Sequence, residues 1–147
     1  NLAVMGLEGK ARAELVIVDV DLVRHRATVT SAGFLAGLVV QADGELMTWA
    51  AQAPPLGEPG RVAAVEEFSY PPGAHLVLLT GCRTVAADGG TGCGLRTVAE
   101  VLRGRQKLAA YEVEEVVAGH LERVGFAEQA GAAPHVLVLS HPRPELG

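Results

Sequence analysis

The sequence has 147 residues, 49% of them hydrophobic, and a formal net charge of −5. This length fits one domain, and the apolar content suffices for a hydrophobic core, which excludes a disordered chain. An acidic chain offers no basic face to nucleic acid or to an anionic membrane, so we expect neither as a partner. No apolar run reaches the roughly 18 to 20 residues of a membrane span, and no signal-peptide pattern is present, so we expect a cytoplasmic protein.

The two cysteines, Cys82 and Cys93, are separated by a glycine-rich segment. No repeated metal-ligand spacing accompanies them, which excludes the usual zinc and iron–sulfur patterns. We therefore expect two free thiols.

The chain opens with residues 1–10, which show no strong periodicity and are interpreted as a leading segment. Residues 13–23 are rich in β-branched side chains and predict the first strand. Asp19 and Asp21 fall on one face of that strand, because side chains alternate with a period of two. The pair could bind a metal ion, or it could mark the solvent-facing end of the strand.

The next segment predicts a run of antiparallel strands. Polar residues 24–26 form a turn, and Asp43-Gly44 is the strongest hairpin signal in the chain. A Pro- and Gly-rich loop over residues 53–60 interrupts the run. The strands themselves are predicted over residues 27–33, 35–42, 45–50 and 61–70.

The most apolar short run covers residues 75–79 and follows the turn signal Pro71-Pro72-Gly73. It predicts a buried central strand that ends in the small residues Thr80-Gly81-Cys82. Such an end is either a core strand entering a turn or a rigid support for a functional site.

Two helices follow a glycine-dense loop over residues 88–94, whose spacing fits no phosphate-binding motif. The first is predicted over residues 95–102 and ends before Gly104. The second ends at Gly125 and carries an apolar stripe opposite its glutamates, formed by Val113, Val116, Val117, Leu121 and Val124. A last strand is predicted over residues 135–140 and a tail over residues 142–147. This order predicts an α+β fold in which helices flank antiparallel β-sheets.

Six segments resemble, in the same order, motifs of the PPM-type metal-dependent serine/threonine phosphatases of the sporulation protein E (SpoIIE) kind. In the following list, the letters in parentheses are the family's motif. The segments are residues 27–34 (LTYVNAGH), 39–44 (a strand and Asp-Gly hairpin), 53–57 (GxPLG), 76–81 (LLLYTD), 94–95 with the following helix (FGxERL) and 136–141 (DDxTLLVLR). The resemblance implies that residues 1–147 are one partial domain, the C-terminal part of an α-β-β-α sandwich.

Members of this family hold two divalent metal ions, Mn²⁺ or Mg²⁺, with aspartates. Here Gly81 stands where the family has the Asp of its TDG turn, and Ala133-Pro134 stand near its second Asp pair. The recognisable ligand positions are therefore not acidic, which implies that the chain binds no metal cofactor.

Three functions remain open on this comparison. A degenerate member would act by binding another protein, in a bacterial partner-switching pathway that regulates sigma factors. An active phosphoserine or phosphothreonine phosphatase would need Mn²⁺ or Mg²⁺ and ligands from another chain or segment. A structural module of a larger protein is the third possibility.

The resemblance implies a candidate pocket at the degenerate ligand positions and assigns no catalytic residue. The pocket residues are Thr80, Gly81, Cys82, Ser31 and Gly33. If a metal ion is bound after all, its candidate ligands are Asp19, Asp21 and Asp88.

Half of a sandwich would leave an apolar sheet face and an unpaired edge in water. We therefore expect a homodimer or a permanent protein partner, with the contact near residues 13–20 and 76–79.

Overall fold

A computed structural model of the chain describes residues 15–53, 63–80, 95–123 and 135–142. The strands in these ranges are β1 (Leu15–Asp21), β2 (Arg26–Val40), β3 (Leu46–Ala53), β4 (Ala64–Ser69), β5 (His75–Thr80) and β6 (His135–Ser140), and the helices are α1 (Leu95–Leu102) and α2 (Ala110–Arg123). The predicted α+β class is confirmed, and α1 and β6 have the predicted bounds. The leading segment, the glycine-dense loop, Gly125 and nearly all of the tail lie outside the described residues.

β2 is the strand on which two sheets are built. Residues 26–32 of β2 pair with β1 and β4, and we call these three segments the front sheet. Residues 33–40 of β2 pair with β3 and β5, β6 pairs with β5, and we call these four segments the back sheet. All of these pairings are antiparallel.

The prediction of two separate strands on either side of Gly33 is wrong. Gly33 has a φ of 100°, a conformation open to glycine, and it bends β2 without breaking the strand. Beyond the bend, Gln41 Nε2 donates a hydrogen bond to the Ser69 carbonyl at 3.4 Å. Ser69 is the strand partner of Arg26, so the two ends of β2 approach each other.

The bend creates an apolar core between the inner faces of the two sheets. Its buried members are Ala27, Val29, Leu35, Val39, Phe68, Tyr70, Ala74, Leu76 and Leu78. The opposite face of the back sheet packs against both helices. That second core contains Ala36, Leu38, Val40, Val77, Leu79, Val98, Leu102, Val113, Val117 and Leu121.

β5 is the buried central strand that the sequence predicts. It lies between β2 and β6 and supplies alternate side chains to the two cores. Leu76, Val77 and Leu78 are 0% exposed, because each face of the back sheet is covered. Of the two segments expected at an intermolecular contact, residues 76–79 are therefore wrongly placed, and only β1 has an exposed face.

The indole of Trp49 joins the two sheets. In the β2–β3 ladder Trp49 lies opposite Gly37, and its ring centroid is 4.2 Å from that of Phe68 in the front sheet. A Cβ atom at position 37 would lie 2.4 Å from two ring carbons of Trp49. Gly37 is thus required by the close approach of the indole.

We expect Gly37→Ala to lower the free energy of unfolding by about 1–3 kcal/mol, because the new methyl group overlaps the partly buried indole of Trp49. Gly119→Ala is the matched control, since its Cβ meets only the flexible end of Arg123 at 3.3 Å within α2. That change should stabilise the protein by about 0.5–1 kcal/mol. Urea denaturation measures both, and equal stability of Gly37→Ala and the parent would contradict the packing described.

Candidate functional site

The structure brings three of the predicted pocket residues to one end of the inter-sheet space. Thr80, the last residue of β5, lies opposite Leu35 of β2 in the ladder. Gly33 and Ser31 precede Leu35 by two and four positions on the same strand. Ser31 is only 3% exposed, so its hydroxyl group does not face an open pocket. Gly81 and Cys82 lie outside the described residues, and the pocket itself stays a prediction.

His135 is a residue of this region that sequence reasoning missed. It is exposed, it begins β6, and it lies opposite Thr80 in the β5–β6 ladder. Its neighbourhood follows from pairing between segments 55 positions apart in the sequence, which no local pattern encodes. The sequence offered one signal for His135. It directly follows Ala133-Pro134, which stand near the family's second Asp pair, so it belongs to the same end of the last strand.

Asp19 and Asp21 lie on the opposite side of the front sheet from Ser31. In the ladders, Asp19 is level with Thr28 and Glu67, and Asp21 is level with Arg26 and Ser69. These side chains form the outer face of the front sheet, together with Ile17, Thr30 and Val65 in the next row. The prediction that the two aspartates share a face is confirmed.

An open groove of about 540 Å³ runs along this outer face. It is lined by Asp19, Val20, Asp21, Leu22, Arg24, Arg26, Thr28 and Glu67. Glu67 is the acidic neighbour that the sequence could not supply to the aspartate pair, because it belongs to a strand more than 40 residues away.

Two of the three carboxylates in the groove, Asp21 and Glu67, are already engaged by cations or backbone donors. Arg26 Nη1 donates to Glu67 Oε1 in an ion pair. Arg24 Nε lies 3.9 Å from Asp21 Oδ2, while Asp21 Oδ1 accepts the backbone N–H groups of Val23 and Arg24 at 3.0 and 2.9 Å. The local charge is therefore balanced within the chain, apart from Asp19.

These residues do not fit Mn²⁺ or Mg²⁺. Hard cations need several convergent oxygen ligands, and two guanidinium groups in the same groove repel a divalent ion. Within the part of the chain that the structure describes, no three His, Cys, Asp or Glu side chains lie together in a way that could hold a metal ion. Asp88 lies outside the described residues.

A second groove of about 550 Å³ lies on the other side of the β1–β2 turn. Its lining includes Arg24, His25, Arg26, Glu67, Phe68, Ser69 and Pro71. His25 has a φ of 56°, and its ring meets that of the buried His141 edge-on at 5.5 Å. His141 Nδ1 donates to the Tyr70 carbonyl at 2.9 Å, and its ring also stacks on the Tyr70 ring.

Tyr70 lies in the connection between β4 of the front sheet and β5 of the back sheet. Its hydroxyl donates to the Leu139 carbonyl at 2.8 Å, and its backbone N–H donates to the His25 carbonyl at 2.7 Å. Burial raises the pKa of Tyr70 to about 12. The phenol therefore stays protonated and keeps its hydrogen bond to β6. Because the backbone of Tyr70 is bonded to His25, Tyr70 links β6 to the β1–β2 turn.

The remaining described histidines act as structural links. His75 lies between Ser140 Oγ, 2.5 Å from Nδ1, and the Gln106 carbonyl, 3.0 Å from Nε2, so it joins β5 to β6 and to the α1–α2 loop. His120 Nε2 lies 2.9 Å from Thr97 Oγ1 and links α2 to α1. Desolvation and then the charge of Arg123 lower the pKa of His120, which favours its neutral form.

A family model described as Stage II sporulation protein E (SpoIIE) matches residues 1–132 of the sequence. Comparison with curated proteins yields no match. Within the described ranges, no helix is long and apolar enough to cross a membrane.

The fold is similar to two structures of the phosphatase domain of the cell fate determinant SpoIIE from Bacillus subtilis. For the structure presoaked with Mn, the TM-score is 0.53 at 16% identity, and the alignment covers 90% of this chain and 59% of that chain. For the other, the TM-score is 0.49 at 13% identity, with 91% and 60% covered. At 16% identity the likeness shows the fold alone, and this chain spans about three-fifths of the length of the solved domain.

The raised pKa of Tyr70 makes the free energy of unfolding depend on pH in the alkaline range. Above pH 10.0 the unfolded chain releases the Tyr70 proton while the folded chain retains it up to about pH 12. The free energy of unfolding should therefore fall across this window, by a total on the order of 2 kcal/mol from this group.

Tyr70→Phe removes that pH dependence and also loses one hydrogen bond, worth about 1 kcal/mol at neutral pH. Tyr111→Phe is the control, because Tyr111 is 66% exposed. Denaturant melts of the three proteins below and above pH 10 would test the assignment. An alkaline loss that is the same in Tyr70→Phe as in the parent would contradict it.

Proposed function

The chain belongs to the SpoIIE family, whose model covers residues 1–132, and we propose that it is a metal-free, cytoplasmic member that acts by binding another protein. Partner-switching regulation in bacteria is the setting we propose, as a signalling role in which one protein captures another. The chain spans 59% of the length of the solved domain.

The arrangement of the acidic groups carries this proposal. Asp19 and Asp21 point away from the inter-sheet end at Thr80, and Arg24 and Arg26 share their groove. A two-metal hydrolytic site needs carboxylates that converge on one point and stay unpaired until the ions bind. The described carboxylates do not converge on one point, and Asp21 and Glu67 are already paired with arginines.

The sequence at the end of β5 agrees with this reading. Gly81 and the Ala133-Pro134 pair occupy the positions where the resemblance implies metal-binding aspartates. Replacing a charged ligand of a two-metal site with a neutral residue removes attraction that no neighbouring neutral group restores.

A phosphatase completed by another segment is the second candidate. The 59% coverage of the solved domain favours it, because ligands could come from a region that this chain does not contain. It differs from the first candidate in requiring Mn²⁺ or Mg²⁺.

We expect calorimetric titration of the chain with Mn²⁺ or Mg²⁺ to show no stoichiometric binding, and we expect no hydrolysis of p-nitrophenyl phosphate. The reason is that no convergent carboxylate set exists in the described residues. The double variant Asp19→Asn/Asp21→Asn is the control, since it removes the two aspartates from the outer face of the front sheet.

Stoichiometric binding tighter than about millimolar, the benchmark of weak oxygen-ligand sites, would sink the proposal. If the double variant abolished that binding, the metal would lie in the outer groove. If it did not, the ligands would lie elsewhere in the chain and the completed-phosphatase candidate would gain support.

A further inference from the structure

Ser140 and His75 form a polar pair at one end of the back sheet, and the proposed function does not use it. Ser140 is the last residue of β6, His75 is the first residue of β5, and the two lie opposite each other in the ladder. Thr80 and His135 close the same ladder at its other end, about 17 Å along the strands. The pair is therefore separate from the predicted pocket at Thr80.

The hydrogen bonds of His75 fix which of its ring nitrogens carries the proton. Nε2 lies 3.0 Å from the backbone carbonyl oxygen of Gln106, which can only accept, so Nε2 donates. In the neutral imidazole, Nδ1 then has a lone pair and no hydrogen. Nδ1 lies 2.5 Å from Ser140 Oγ, so the hydroxyl of Ser140 donates to that lone pair.

The fold holds the imidazole in place and leaves the serine at the surface. His75 is only 5% exposed, because it shares the helix-facing side of β5 with Val77 and Leu79 and is bonded to the α1–α2 loop. Ser140 is partly exposed, and β6 is the outermost strand of the back sheet among the described residues. Ser140 is thus the partner that a small molecule can reach.

We propose that Ser140 is a nucleophilic serine, with His75 as its general base and the Gln106 carbonyl as the group that orients the base. A hydroxyl bonded to an imidazole whose other nitrogen is also held is the arrangement that activates serine for covalent chemistry. The described residues supply a nucleophile and a base, so the substrate must itself carry a good leaving group. We assign activated carboxylic esters and their phosphonyl analogues to the site, whether or not the chain also binds a protein partner.

The covalent step transfers one acyl group and one proton. Ser140 Oγ forms a bond to the ester carbonyl carbon while its proton passes to His75 Nδ1. The carbon–oxygen bond to the leaving group then breaks, and the leaving oxygen takes the bonding electrons and the proton from Nδ1. Water cleaves the acyl-serine ester by the same route, giving its proton to Nδ1 as it attacks and restoring the Ser140 hydroxyl.

A purely structural link between β5 and β6 would use the same two hydrogen bonds, but it would leave Ser140 no more reactive than another exposed serine. The sequence has three serines, Ser31, Ser69 and Ser140. Ser31 is 3% exposed, whereas Ser69 is exposed and its side chain is bonded to no histidine within the described ranges. Ser69 is therefore an internal reference for the intrinsic reactivity of a serine in this protein.

Labelling of the 147-residue chain with a fluorophosphonate probe tests the proposal. Attack of Ser140 Oγ on phosphorus expels fluoride and releases one proton, so the chain should gain the mass of the probe less HF. We expect one label per chain, mapped to Ser140 by mass spectrometry, with Ser69 unmodified. p-Nitrophenyl acetate should acetylate the same serine. Urea should abolish both reactions, because unfolding separates the hydroxyl from the imidazole.

His75→Gln tests the base, since it keeps a polar side chain at this position and removes the basic nitrogen. Labelling of Ser140 should slow about a hundredfold or more, because general bases contribute about 10²–10⁴-fold. His120→Gln is the matched control, since His120 Nε2 also contacts a hydroxyl, that of Thr97, and it should leave the labelling rate unchanged. Circular dichroism shows whether each variant is folded, and if His75→Gln is not, the comparison of Ser140 with Ser69 in the parent decides.

Three results would overturn the proposal. They are a parent chain in which neither probe modifies Ser140, modification of Ser69 at the same rate as Ser140, and a folded His75→Gln variant that is labelled at the parent rate.

Discussion

The bend of β2 at Gly33 is the constraint on which the rest of the structure depends. One strand supplies the central ladder of both sheets, so the sheets cannot part without losing their pairing with β2. The bend closes the inner faces over an apolar core that includes Val29 and Phe68 from the front and Leu76 and Leu78 from the back. A φ of 100° at the bend requires glycine, because a Cβ atom disfavours that conformation.

The alternation of side chains along the strands then decides which residues can act together. Ser31 faces the inter-sheet core, whereas Asp19 and Asp21 on the neighbouring strand β1 face outward. A site for a hard cation needs several oxygen ligands that converge on one point. The front sheet puts Asp19, Asp21 and Glu67 on one outer face, but Arg24 and Arg26 on the same face pair with Asp21 and Glu67.

The helical layer covers only one of the two sheets in the described residues. α1 and α2 pack on the back sheet, where Val77 and Leu79 are fully enclosed. The front sheet leaves Ile17 and Val65 exposed to solvent. The chain shares the fold of the SpoIIE family, and among its described residues no three His, Cys, Asp or Glu side chains lie together in a way that could hold a metal ion. The fold of a protein and its chemistry are separable, because a fold rests on many apolar contacts whereas a metal site rests on a few charged ligands.

The sequence by itself determined the elements whose signals are local: the 95–102 helix, the 135–140 strand, the turn at Asp43-Gly44 and the burial of residues 75–79. It also placed Asp19 and Asp21 on one face, because a period of two needs no knowledge of partners. Only the tertiary structure decided that β2 is continuous, that Glu67 and Arg26 join the aspartates, and that His135 lies beside Thr80. Strand pairing joins segments far apart in sequence, and the register that sets each neighbour arises only when the whole core packs.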